Sequence, residues 1–340
     1  MTHTAVLIPG DGIGPEVSAA VREVLAAAAA PVEFVVRQAG TAALEQGHKD
    51  VLPAETLEAI REHKVALKGP CTTPIGGGFS SINVALRKTL HLFAAVRPVR
   101  NMPGVKTRYD GVDMVIVREN TEGLYSGLEN AITEDVVVSM KVATRPACAR
   151  IADWAFNYAT QRGRKRVSVL HKANIMKLTD GMFLQEARKA RERYPKIDYD
   201  EIIIDAALMR LVRDPTHFDV ILCENLYGDL VSDLCAGLVG GLGVAPGANF
   251  GLDSAVFESV HGSAPDIAGK DLANPLALLM SATMMLNWLA TTRGDDACAR
   301  SAARIRSAYD RALAEGATTK DLGGSLGTKG FAQAVIGRLG

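Results

Sequence analysis

Short runs of consecutive apolar residues alternate along this chain with longer stretches in which apolar positions recur every three or four residues. The first pattern predicts strands buried on both faces, the second helices packed along one side. Residues 5–9, 32–36 and 65–68 read as strands. An Ala/Val/Leu-rich helix reaching to about Ala29 and a helix over residues 53–63 separate them. Runs at 114–117, 167–170 and 219–223 repeat the strand pattern. This strand–helix–strand rhythm predicts an α/β fold built on a parallel sheet.

The segment from Phe218 to Asp233, FDVILCENLYGDLVSD, joins a buried strand to a helix. Asp229 and Asp233 stand four residues apart and so share one helix face. Two solvated acids are the ordinary reading of Asp-x-x-x-Asp. Here Val220, Ile221, Leu222, Leu230, Val231 and Leu234 flank the pair and predict burial. Like charges at this spacing repel, which points to a cation, and oxygen-only ligands suit Mg²⁺ or Mn²⁺ rather than zinc.

Gly10, Gly12 and Gly14 follow the first strand as G-x-G-x-G, with Pro15 fitting the first helical turn. The dinucleotide fingerprint needs G-x-G-x-x-G, so a Rossmann site is not expected. A tight turn presenting backbone N–H groups to a ligand is the remaining functional reading. Gly69 to Gly78 forms an unusual loop ending in three glycines, and Ser81, Asn83 and Arg87 follow at a helix start. Arg87, Arg97 and Arg118 recur near element ends. Any one is ordinarily a surface charge; the set suggests a polyanionic substrate, since a guanidinium grips a carboxylate by two bonds.

At 340 residues, 48% of them hydrophobic, the chain exceeds the size at which one core keeps growing, so two lobes are expected. Lys plus Arg equals Asp plus Glu at 38 each, which argues against nucleic acid or anionic membrane as the main partner. The five cysteines show no CxxC and fit a reducing compartment without disulfides or a zinc site. With no signal peptide and no membrane-spanning run, a cytoplasmic protein is expected.

Six motifs together resemble the β-decarboxylating dehydrogenases, the family of isocitrate, isopropylmalate, homoisocitrate and tartrate dehydrogenases. They are IPGDGIGPE at 8–16, VRENTEGLYSG at 117–127, HKANIMK at 171–177, NLYGDLVSDL at 225–234, GLVGGLG at 237–243 and HGSAPDIAGKDLANP at 261–275. The resemblance implies a two-lobed, non-Rossmann fold. The large, cofactor-side lobe would take residues 1–98 and 251–340. The small lobe, 99–250, would carry the metal-binding helix and, from about Tyr125 to Val142, a Val-rich clasp joining a homodimer with shared active sites.

The resemblance also implies site residues. Ser81, Asn83, Arg87, Arg97 and Arg118 would bind substrate. The Ser81-x-Asn83-x-x-x-Arg87 pattern is similar to the isocitrate form, where hydroxyl and amide donors meet the distal carboxylate. The isopropylmalate form is apolar and acidic there, and the homoisocitrate form more basic. Asp229 and Asp233, with Asp205 from the neighbouring subunit, would hold Mg²⁺ or Mn²⁺. Lys172, also from that neighbour, would assist removal of the hydroxyl proton, and Tyr125 would protonate the enolate. Thr73, His261, Gly262, Ala264, Asp266, Ile267, Asn274 and Asp321 would bind the cofactor. NADP-using relatives carry a basic residue and an aromatic where Asp266 and Ile267 stand, so NAD is expected.

The expected activity is therefore NAD-dependent, metal-assisted oxidative decarboxylation of isocitrate to 2-oxoglutarate and CO₂, a step of the tricarboxylic acid cycle. Homoisocitrate, longer by one CH₂, is the alternative hardest to separate, because a methylene is worth only about 1–3 kcal/mol of discrimination. Isopropylmalate and tartrate are the others. A regulatory subunit that has lost metal or acid–base residues is disfavoured, because Tyr125, Lys172, Asp205, Asp229 and Asp233 are all present.

Overall fold

A computed structural model describes residues 2–73 and 81–340. The glycine triplet at 76–78 lies outside the described residues. Among the described residues twelve strands follow in chain order: β1 His3–Ile8, β2 Val32–Val36, β3 Val65–Lys68, β4 Ala94–Arg100, β5 Asp113–Glu119, β6 Glu129–Thr133, β7 Val136–Ser139, β8 Arg166–His171, β9 Asp198–Ile203, β10 Val220–Cys223, β11 Pro246–Phe250 and β12 Ala255–Ser259. The fold is α/β, as the hydrophobic rhythm predicts.

The chain divides into two compact units. The first takes Met1–Leu90, Asn101–Arg108 and Val239–Gly340, the second His91–Arg100 and Tyr109–Leu238. In the first unit the strand order is β2-β1-β3-β12-β11. β1 runs parallel to β2 and β3, and β3 parallel to β12, whereas β11 is antiparallel to β12. That ladder is why residues 246–250 belong with the first unit. Ala5, Val6, Leu7 and Ile8 are buried, as are Val65, Ala66 and Leu67. The Leu276–Arg293 helix packs on this sheet and is apolar nearly all round. Among the described residues no helix is long and apolar enough to cross a membrane.

In the second unit the order is β4-β5-β10-β8-β9. β10 lies parallel to β5 and β8, and β8 parallel to β9, while β4 is antiparallel to β5. The all-parallel expectation is thus corrected at one strand in each unit. β6 and β7 form a separate antiparallel hairpin whose residues are all exposed. All five cysteines are free.

The first helix, Gly14–Ala27, stops short of Ala29, which takes a left-handed backbone (φ 48°). A short helix, Thr41–Glu45, falls where no periodic run announces one. Asp219 sits before β10 rather than in it, and its carboxylate accepts the backbone N–H of Lys165 and Arg166 and pairs with Arg164.

In the G-x-G-x-G turn at least three N–H groups are taken up within the fold itself. Asp11 N–H donates to Pro70 O (2.7 Å), Ile13 N–H to Ser263 O (2.8 Å) and Gly14 N–H to Asp11 O (2.9 Å). The buried Asp11 carboxylate accepts the N–H of Ala42 (2.9 Å) and of Thr72 (2.7 Å). One aspartate thus ties three loops together. Gly12 (φ 58°) admits no side chain, since a Cβ there would lie 2.0 Å from Ser263 O.

Candidate active site

In the second unit β10 ends at Cys223, and Glu224 turns the chain into the Asn225–Leu238 helix. The Glu224 carboxylate accepts the Tyr227 N–H (3.1 Å), satisfying one of the open donors at the helix start. Arg118, on the neighbouring strand β5, is 1% exposed, and its Nε and Nη2 both donate to Asn225 Oδ1, at 3.1 and 2.7 Å. Its Nη1 donates to Asp229 Oδ1. The Tyr125 hydroxyl donates to Asp229 Oδ2 (2.5 Å), and the Arg118 guanidinium lies 5.0 Å from the Tyr125 ring centroid. Arg118, Tyr125 and Asp229 are therefore brought together, as a common role requires.

Burial, then the bond to Asp229, pushes the Tyr125 phenol above its usual range, and Arg118 pulls the other way. Tyr125 thus keeps its proton at neutral pH. Asp233 follows Asp229 by one turn. Desolvation and then the Asp229 charge raise its proton affinity, opposed by Arg97 and Arg118. Arg97 is buried within β4 rather than at its end. The segment is less covered than its apolar flanks predict: Leu230 is 56% exposed and Asp233 stands at the surface, while Val231 is buried. The helix shows one face to the sheet and the other outward, so Val231, Ser232 and Cys235 are buried while Leu230 and Asp233 face out.

Lys172 follows β8, and its ammonium pairs with the Asp205 carboxylate on the Ile204–Arg213 helix. That bond holds Asp205 below the usual carboxylate range. Asp205 does not join Asp229 and Asp233 within the single chain. Among the described residues the one trio of ligand atoms within 4.8 Å is His3, Asp295 and Cys298.

In the first unit Ser81 is the N-cap residue of the Ile82–Thr89 helix, yet its side chain does not cap it. Asn83 Oδ1 is buried without a partner among the described residues. Arg87 is buried, with Nη2 3.4 Å from Glu258 Oε1. Glu258 also accepts from Asn249 Nδ2 (2.8 Å) and pairs with Lys68 Nζ (2.9 Å). Lys68 and Glu258 escaped the sequence reading, because each sits inside an apolar strand and nothing local marks its partner.

The residues expected to hold the cofactor also fall in this unit. His261 Nδ1 lies 3.0 Å from Gly262 O, while its Nε2 is buried without a partner among the described residues. Burial holds this imidazole below its usual pKa, so it is neutral. Thr73, Gly262, Ala264 and Asp266 are exposed and Ile267 half-buried. Asp266 lies in the short Pro265–Ile267 turn, whose cap position is Ala264. Asn274 and Asp321 meet each other: Asn274 Nδ2 donates to Asp321 Oδ2 (3.0 Å), and Asn274 Oδ1 accepts the Leu276 N–H (3.0 Å). Thr319 holds the other Asp321 oxygen (2.5 Å).

Residues 4–335 match the family model described as isocitrate/isopropylmalate dehydrogenase. The chain belongs to the isocitrate/isopropylmalate dehydrogenase family. It is 51% identical over 338 residues to isocitrate dehydrogenase [NAD] catalytic subunit 5, mitochondrial, of Arabidopsis thaliana, covering 99% of this chain and 88% of that protein. It is 53% identical over 286 residues to the chloroplastic 3-isopropylmalate dehydrogenase of Solanum tuberosum, covering 84% of this chain and 80% of that one. The crystal structure of isocitrate dehydrogenase from Methylococcus capsulatus matches with a TM-score of 0.94 at 44% identity, over 99% of each chain.

These relatives correct one expectation. The NAD isocitrate dehydrogenase subunits of Arabidopsis and of Homo sapiens are mitochondrial, which overturns the assignment to the cytoplasm. Zero net charge and unpaired cysteines suit any reducing compartment, so composition gave no ground for choosing that one.

Proposed function

We propose that this family member is an NAD-dependent isocitrate dehydrogenase that converts isocitrate to 2-oxoglutarate and CO₂. The observation that carries the reading is the cluster of Arg118, Tyr125 and Asp229 beside Asp233. The names of two relatives support the substrate, and that of the Arabidopsis protein the cofactor.

The carboxylates fit a divalent cation. Asp229 and Asp233 are oxygen-only donors one turn apart, and the charge of Asp229 raises the proton affinity of Asp233. A bound cation relieves that repulsion. Asp229 and Asp233, with Asp205 of the partner subunit, would hold Mg²⁺ or Mn²⁺. When bound, the ion supplies Lewis acidity at the substrate hydroxyl and carboxylate oxygens. The cofactor residues fit NAD: Asp266 is acidic, exposed and free to accept from ribose hydroxyls, and no basic residue replaces it. His261 Nε2 supplies an open polar atom in the same loop.

The remaining steps belong to this chain's side chains. Arg87, Arg97 and Arg118 bind substrate carboxylates. Ser81 and Asn83 meet the distal one, and the capping-free Ser81 hydroxyl suits that use. Lys172 assists removal of the substrate hydroxyl proton, and a bound nicotinamide would supply the hydride acceptor. Tyr125 then delivers its proton to the carbon left by CO₂. Asp229 holds that phenol in place and raises its proton affinity until the carbanionic product forms.

Isopropylmalate is the second reading, favoured by the 53% identity to the potato enzyme. The polar Ser81 and Asn83 oppose it, since an isopropyl group offers them nothing to bond.

The exposed β6–β7 hairpin supports a homodimer. Ile132 is 64% and Val137 66% exposed. A two-stranded ribbon with apolar residues in water is marginal alone and gains stability from a second copy. In such a dimer Lys172 and Asp205 would serve the active site of the neighbouring copy. Asp229→Asn tests the metal assignment. It should abolish Mn²⁺-dependent turnover and weaken Mn²⁺ binding in calorimetry while the dimer stays folded; undiminished turnover rules the assignment out.

A further inference from the structure

Lys141 lies at the base of the β6–β7 hairpin and is fixed from both sides. Met140 N–H donates to Leu128 O (2.9 Å), and Val142 exchanges backbone bonds with Gly123 (2.9 and 3.3 Å). Its side chain turns inward, only 12% exposed, and donates to Asp180 Oδ1 (2.6 Å). The ammonium also stands 3.8 Å from Glu224 Oε1 and 4.6 Å from the centroid of the Tyr227 ring. The other Asp180 oxygen, Oδ2, accepts the backbone N–H of Lys172 (2.7 Å). Asp180 is 2% exposed. A carboxylate so buried needs a counter-charge to remain ionised, and Lys141 is the cation bonded to it.

The chain of bonds therefore runs from the hairpin base through one buried carboxylate to the main chain of Lys172. Beyond that N–H the turn is closed by Ile175 N–H and Met176 N–H, which both donate to Lys172 O (2.9 and 2.8 Å). The Lys172 side chain itself leaves the turn to reach Asp205. Nothing in the turn besides Asp180 holds the Lys172 N–H.

We propose that the Lys141–Asp180 pair is a positioning device for Lys172, fixing the turn from which its side chain reaches toward the reacting hydroxyl. The inference rests on the reading, given above, of Lys172 as assisting removal of the hydroxyl proton. Lys141 touches no reacting atom. It acts by pairing with Asp180 and orienting it, so that the lysine turn has one conformation. Displacements of the order of 1 Å at a catalytic group cost about 10²-fold in rate.

The test uses the full-length protein with isocitrate, NAD and Mn²⁺. Lys141→Met should lower kcat about 10²-fold while KM for isocitrate and for NAD stays within about threefold. Lys141→Arg should recover most of the loss, because it restores the counter-charge. Asp180→Asn keeps the shape and one acceptor. It should show the same split between kcat and KM, and it serves if Lys141→Met does not fold. A double-mutant cycle with Lys172→Met decides the route, since a pair acting through Lys172 adds no further loss once that lysine is gone. A fully multiplicative loss in the Lys172→Met background overturns the proposal, as does near-normal kcat in Lys141→Met or Asp180→Asn. Undiminished turnover by Lys172→Met alone instead overturns the assignment of Lys172, and the proposal with it.

Discussion

The side chain of Arg118 lies directly against the backbone of Gly228. A Cβ built on Gly228 would stand 2.6 Å from both Cβ and Cγ of Arg118, far inside contact distance. The glycine of NLYGD is therefore a clearance for the arginine, which then reaches over the helix to Asn225 and Asp229.

Gly228→Ala should displace Arg118 and disturb the cluster with Tyr125 and Asp229. Overpacking of this kind costs about 1–3 kcal/mol in stability. If Arg118 binds a substrate carboxylate, KM for isocitrate should rise about tenfold or more at the same time. Thermal unfolding and steady-state kinetics on one preparation check both. An unchanged KM would separate Arg118 from substrate binding.

Tyr125→Phe removes the hydroxyl bonded to Asp229 and nothing else of the ring. Stability should fall by about 1.5–3 kcal/mol at most, the net worth of one hydrogen bond to a charged group. A general acid contributes about 10²–10⁴-fold, so 2-oxoglutarate formation should fall within that range. Direct assay of 2-oxoglutarate, alongside nicotinamide reduction, shows whether the loss lies in protonation.

Asp266→Lys with Ile267→Tyr should move preference toward NADP, by removing the ribose-hydroxyl acceptor and supplying a partner for a 2′-phosphate. The ratio of kcat/KM for the two cofactors is the readout. An unchanged ratio would count against a ribose role for Asp266.

Lys68 and Glu258 form a buried pair in the first unit, and Lys68→Met should cost about 3–5 kcal/mol because it strips a buried carboxylate of its ammonium. Burial works against the Lys68 charge, but Glu258 outweighs it and holds the lysine above the usual value of 10.5. A group that binds its proton more tightly folded than unfolded contributes its full stability below the unfolded pKa. It loses that contribution as pH climbs through the folded value. The gap in melting temperature between wild type and variant should thus hold constant from neutral pH to about pH 9 and narrow above about 10.5. A gap that narrows on acidification instead would contradict the assignment.

Much of this could be read along the chain where cause and effect lie close in sequence. Asp229 and Asp233 announce themselves by helix spacing, and the strand before them by an unbroken apolar run. What stayed hidden depends on distant partners. Asp11 looks like part of a ligand turn until its bonds to Ala42 and Thr72 appear, 31 and 61 residues away. Asn225, which orients Arg118, is 107 residues from it. The exposure of Leu230 follows from how one helix face meets its sheet, which the apolar pattern of its neighbours overstates. The antiparallel direction of β4 and β11 shows only in their ladders, and β11, PGANF, lacks the unbroken apolar run that marks the parallel strands. Asp205 and Lys172 meet each other rather than Asp229 within one chain, so the role proposed for them requires a second copy.

The central claim is best tested by the initial rate of nicotinamide reduction by the purified chain with Mn²⁺. Isocitrate, homoisocitrate, isopropylmalate and tartrate would each be offered with NAD and with NADP. Isocitrate with NAD should lead by about a hundredfold, or about 2.7 kcal/mol of transition-state binding. Equal or faster turnover of isopropylmalate or homoisocitrate would contradict the assignment of Ser81 and Asn83 to the distal carboxylate of isocitrate.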